Sequence, residues 1–174
     1  MTSDFIILGL GRWLHIGSGV LWIGLLWYFN MVQVPGLKTA GADGTAAGIT
    51  KHIAPRALEF FRWSSLATVL FGAMIMGSQL PAVLFFTQKA YYPLGVGVWL
   101  GLIMFLNVWG LIWPNQKKIL NLYQYATNPA PDDVKNKARR VALLASRTNM
   151  MLSIPMLFFM VASGGKFRVA MFGG

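Results

Sequence analysis

The sequence contains no cysteine and almost no acid: its 174 residues hold 5 Asp+Glu against 15 Lys+Arg, and Glu59 is the single glutamate. Lack of cysteine excludes a disulfide, a thiolate metal site, an iron–sulfur cluster and a covalent c-type haem, which needs Cys-x-x-Cys-His. Scarcity of carboxylates removes most of the material for paired acid/base chemistry. There is no Ser-His-Asp set, P-loop, nucleotide-binding glycine fingerprint or HExxH motif, so hydrolytic and nucleotide-driven chemistry have no seat.

Charge as a whole is also scarce. Only 11% of residues are charged and 56% are hydrophobic, with a mean hydropathy of +0.56, whereas a soluble domain carries about 25% charged residues. The composition is that of a chain in lipid. Its net charge of +10 flanks apolar runs and does not form a stripe with exposed aromatics, which speaks for membrane topology and against nucleic acid. The N-terminus has no basic region, carries Asp4 and has no A-x-A-like site, so no cleavable signal is expected.

Crossing about 30 Å of hydrocarbon takes about 20 mainly apolar residues. Runs that meet this lie at about 5–31, 63–82, 93–113 and 141–163. The expectation is an all-α, polytopic membrane four-helix bundle, with 1–174 as one membrane domain. Pro35-Gly36 and Gly41-Ala42-Asp43-Gly44 read as a loop, followed by a short interfacial helix from Pro55 to Trp63. Asp132 or Asp133 is the expected N-cap of the fourth helix. The connectors on one side carry ten basic residues, Lys38, Lys51, Arg56, Arg62, Lys117, Lys118, Lys135, Lys137, Arg139 and Arg140, against Arg12, Lys89, Lys166 and Arg168 on the other. The positive-inside rule then places the long connectors in the cytoplasm and both termini in the periplasm of a bacterial inner membrane.

His15 falls within ~5 Å of mid-membrane by helical rise, and an ionisable group at that depth is a functional-site hypothesis. Positions 11, 12, 15, 18, 19 and 22 share a helix face, which gathers Gly11, Arg12, His15, Ser18, Gly19 and Trp22. Small residues beside an imidazole would admit a flat macrocycle, and Arg12 could pair with a haem propionate. The cofactor this pattern suggests is haem b with His15 as metal ligand. Close helix packing, a hydrogen bond across the bundle and proton handling by His15 stay open beside it. His52, the other histidine, reads as a solvated surface residue ~20 Å or more away along the normal. Arg147, near the cytoplasmic interface, either snorkels or meets an anionic group. Among the methionines, Met104 is central in the third helix, where Met is usually a gap-filler. Asn107 reads as an interhelical hydrogen-bonding residue, and Glu59, one turn before Arg62, as a surface pair.

Several segments resemble the membrane domain of the bacterial cytochrome c-type urate oxidase (urate hydroxylase) family. They are Leu14-His15, Leu21-Trp22-Ile23-Gly24, Tyr28-Phe29-Asn30, Pro55-Arg56-Ala57, Phe61-Arg62-Trp63, Asn107-Val108-Trp109, Trp113 to Lys118, Ser146-Arg147-Thr148-Asn149 and Leu152 to Met156. A first helix opening with His and then Trp-x-Gly is more loosely similar to HemJ-like four-helix haem membrane proteins. The resemblance implies the fold, a haem-bearing first helix with His15 as ligand, and an oxidoreductase role. Family members of that kind end in a cytochrome c domain, for which these 174 residues have no cysteine, so the acceptor would be a separate cytochrome c-type partner. Three functions follow as expectations: a haem b electron-transfer protein, a cofactor-free accessory subunit of a larger membrane complex, or a urate or purine oxidase working with a separate cytochrome. Its partners would be the lipid bilayer and either further copies of itself or a larger complex.

Overall fold

The computed structural model describes residues 5–164 and Val169, with side chains from Leu8 onward; Asp4, Lys166 and Arg168 lie outside the described residues. Among the described residues there is helix and turn and no strand. Four helical runs follow one another: α1, Leu8–Ala42; α2, Ala46–Leu84; α3, Lys89–Thr127; and α4, Asp132–Ala162. Each is long and apolar enough to cross a membrane. Short links reverse the chain, so that α1 packs mainly on α2 and α3 mainly on α4, with thinner contact between the two hairpins.

Each run overlaps one stretch expected from composition, but the helices run further. At ~1.5 Å per residue, 31 to 39 residues extend about 46 to 58 Å, well past a hydrocarbon slab. The expected loop at Pro35-Gly36 and Gly41 to Gly44 shrinks to the turn at 43–45, where Asp43 Oδ1 accepts from the Thr45 hydroxyl (2.6 Å) and amide (3.1 Å). The cap of α4 also differs. Pro131 occupies the cap position without a side-chain bond, and Asp132 and Asp133 form the first helical turn, where carboxylates complement the unpaired amides.

Proline failed to stop these helices for a physical reason. A proline inside a helix lacks one donor and drives its ring against the carbonyl four residues back. Pro35, Pro55 and Pro114 each stand at the start of an α-helical segment that directly follows a wide π-helical turn: Phe29–Gln33, Ile49–Ile53 and Val108–Ile112. The wider turn opens the space the ring needs and lets the helix continue. Gly77 interrupts α2 differently, with a φ of 48° that a side chain would disfavour.

The buried core gathers Trp22, Leu26, Phe29, Leu58, Phe61, Met104, Val108, Ile112, Trp113, Ala145 and Met156. Phe29 meets Phe61 edge to face at 5.5 Å. Polar bonds tie the helices within this apolar mass. Trp27 Nε1 donates to Ser153 Oγ (3.1 Å), Asn30 Nδ2 to Ser146 Oγ (2.8 Å) and Trp109 Nε1 to Ser65 Oγ (3.3 Å). Asn107 Nδ2 donates to Asn149 Oδ1 (2.9 Å), and Nδ2 of fully buried Asn149 donates to the carbonyl of Met104 (2.9 Å). Asn107 is thus the interhelical residue its type suggested. Met104 is fully buried and fills the core. Outward faces are apolar as well, with Trp13, Val20, Leu70, Leu106, Met151 and Val161 exposed. Apolar cover of that extent suits lipid contact, not water, and is compatible with a multi-pass membrane protein.

Candidate functional sites

Two places gather chemistry, one towards the start of α1 and one at the connector end. In the first, His15 is half-buried against α2. Its Nδ1 lies 2.8 Å from the carbonyl oxygen of Thr68. A carbonyl can only accept, so Nδ1 carries a proton and donates, and Nε2 is the ring nitrogen left for another partner. Gly72 makes the seat: a Cβ there would stand 3.0 Å from His15 Cε1 and 3.1 Å from Nδ1. An imidazole clamped at Nδ1 by a backbone carbonyl has the orientation that metal-ligating and proton-accepting histidines use.

The other residues of that face divide. Gly19 packs against Thr68, whose Cγ2 would be 3.7 Å from an added Cβ. Trp22 is 2% exposed and belongs to the core, with its indole N–H buried and without a partner. The hydroxyl of Ser18 turns back to the carbonyls of Leu14 (2.7 Å) and His15 (3.1 Å). Arg12 is exposed, one turn from His15. Arg147 is exposed too, but the Asn30–Ser146 bond sets it level with Asn30, about 22 Å along α1 from His15 at helical rise. Thus the structure groups His15, Gly19 and Arg12 and leaves Arg147 at the far end. His52 is exposed near the start of α2. Among the described residues no three His, Cys, Asp or Glu side chains form a metal-holding group.

The second place is the surroundings of Arg62. Its guanidinium lies 3.9 Å from the ring centroid of Trp113, 4.8 Å from that of Trp63 and 5.3 Å from that of Trp109. Arg62 Nη2 also donates to Glu59 Oε2 at 2.6 Å, and the Tyr123 hydroxyl donates to Glu59 Oε1 at 2.5 Å. The expected surface pair is therefore sunk among aromatics, with the Arg62 side chain only 12% exposed. Flat rings accept a desolvated guanidinium because its planar charge stacks on their π faces. Tyr123 reaches Glu59 from a break in α3, where Asn121 and Tyr123 both take positive φ, 51° and 52°, a conformation that costs a bulky residue energy. Open grooves lie on either side of Tyr123. One is lined by Pro55, Arg56, Glu59, Leu122 and Tyr123, the other by Arg62, Trp113, Lys117, Tyr123 and Gln124.

Glu59 and Arg62 were legible as a pair in the sequence, while Tyr123 was not singled out and the convergence of the rings was missed. Trp63 ends the expected interfacial helix and Trp113 the expected third span, and nothing local announces that Trp109 closes on Arg62 and Tyr123 on Glu59. The available signal was the chain's one glutamate at i−3 from an arginine inside an aromatic segment. Residues 53–170 match a family model described as urate oxidase N-terminal. That stretch holds the Arg62 cluster and Thr68 but not His15. No curated protein and no solved structure matches the chain.

Proposed function

The chain belongs to the urate oxidase N-terminal family, and on that premise we propose that it is a multi-pass inner-membrane module of a urate-oxidase-like oxidoreductase that carries haem b on His15. It passes electrons to a separate cytochrome c-type partner. The observation that supports this best is the Nδ1 bond from His15 to Thr68, because it fixes the tautomer that leaves Nε2 free to ligate. The fit concerns one ligand, His15. Arg12, exposed one turn away, is the residue available to a propionate; Gly19 and Trp22 serve the α1–α2 packing, and Arg147 is too distant to take part. A haem held there would supply one-electron chemistry. The chain's own contribution is to hold the imidazole still and surround it with apolar helix faces.

Pyridine haemochrome assay and a reduced-minus-oxidised spectrum of detergent-purified protein test the reading directly. A b-type band is expected, lost in His15→Ala while circular dichroism keeps its helical signal. Absence of the band, or its persistence in His15→Ala, overturns haem ligation here. For the substrate, membranes containing the chain are expected to reduce added cytochrome c when urate is supplied, and no urate-dependent reduction would remove urate from the proposal.

A further inference from the structure

The groove on the Lys117 side of Tyr123 has features that neither family membership nor a histidine ligand accounts for. It measures about 390 Å³ and is lined by Arg62, Trp113, Lys117, Tyr123 and Gln124. Two of these five side chains are cationic. The one nearby carboxylate is already committed, since Glu59 uses one oxygen for Arg62 and the other for Tyr123. Among the described residues Lys117 has no ion-pair partner, the Glu59–Arg62 bridge being the single one found. Arg62 lines the same groove, and its Nε, buried within the protein, has no acceptor there. Such a place is short of negative charge and of acceptor oxygens together.

Its position narrows the ligand. Trp63 and Phe60, 53% and 64% exposed, face outward on the same stretch of α2, and indole rings at a membrane boundary sit at headgroup level. Towards the membrane interior on α3, Leu106 is 64% exposed and offers an apolar track for a hydrocarbon chain. We propose that this groove binds the phosphodiester headgroup of an anionic phospholipid from the adjoining leaflet. Lys117 and Arg62 meet the phosphate oxygens, and the acyl chains lie along the apolar helix faces. Basic pockets between membrane helices on the cytoplasmic side recognise anionic headgroups through this combination of charge and depth. Tyr123, held over the groove by its bond to Glu59, forms the wall that separates it from the neighbouring groove.

The inference rests on the chain spanning a membrane, which retention in membranes after an alkaline carbonate wash checks separately. The groove itself is tested on the full purified chain in a neutral detergent. Its thermal-unfolding midpoint is followed during titration with short-chain phosphatidylglycerol, phosphatidylcholine or inorganic phosphate. A saturable rise with phosphatidylglycerol and none with phosphatidylcholine is expected. Lys117→Gln should weaken the apparent affinity about 5-fold, and Lys51→Gln, which alters an exposed cation elsewhere on α2, should leave it unchanged. An equal response to phosphatidylcholine, no change in Lys117→Gln, or an equal loss in Lys51→Gln overturns the site. An equal response to inorganic phosphate at the same concentration overturns the lipid as its source.

Discussion

The His15 seat and the Arg62 cluster solve opposite problems of keeping a polar group in an apolar protein. His15 asks for one acceptor at Nδ1, which Thr68 supplies, while Gly72 removes the atom that would be in the way. Arg62 is charged and needs a carboxylate, three rings and, through Glu59, the hydroxyl of Tyr123. The cost of burying each group explains the difference. A hydrogen-bonded neutral imidazole needs little further compensation, whereas an ion taken out of water demands partners on every side. Hence the seat is built by two helices, and the cluster draws on both hairpins.

That contrast can be broken most strongly at Arg62. Arg62→Ala strands Glu59 and empties the space between three tryptophans, and should cost about 3 kcal/mol, read as a lowered midpoint of unfolding in detergent. A loss below about 1 kcal/mol would show that the cluster is a solvated pair after all. Gly72→Val comes next: its side chain must displace the ring of His15 and should cost about 1–3 kcal/mol. It should also shift the imidazole resonances of His15 in a nuclear magnetic resonance spectrum, and an unshifted ring would mean that Thr68 does not hold it. Tyr123→Phe removes one hydrogen bond at an exposed position and should cost about 1 kcal/mol or less. If it costs as much as Arg62→Ala, the two ends differ less than their geometry implies.

What the sequence made legible follows the same division. Helix existence was readable because hydropathy is a local sum, whereas the depth expected for His15 was counted from a span of 5–31, and the helix runs on to Ala42. Helix extent was misjudged at Pro35 and Pro114, since no single residue announces a π-helical turn that makes room for a proline. The face shared by Arg12, His15, Gly19 and Trp22 was correct as helical phase. Which of them meet another helix depended on Thr68 and Gly72, more than fifty residues away. Similarly, it is the Asn30–Ser146 bond that sets Arg147 apart from His15.

The π-helical turn at Val108–Ile112 also acts as a gear. An α-helix advances about 100° for each residue, so removing one residue from this turn would restore a regular helix and rotate everything beyond it by about that angle. Trp113 and Lys117 would then swing away from Arg62 while the apolar span before them stayed in register. The length of that turn therefore sets the alignment of one half of α3 with the other, and a deletion of Gly110 would take Trp113 from the arginine, leave Trp63 on it, and change no residue that touches it.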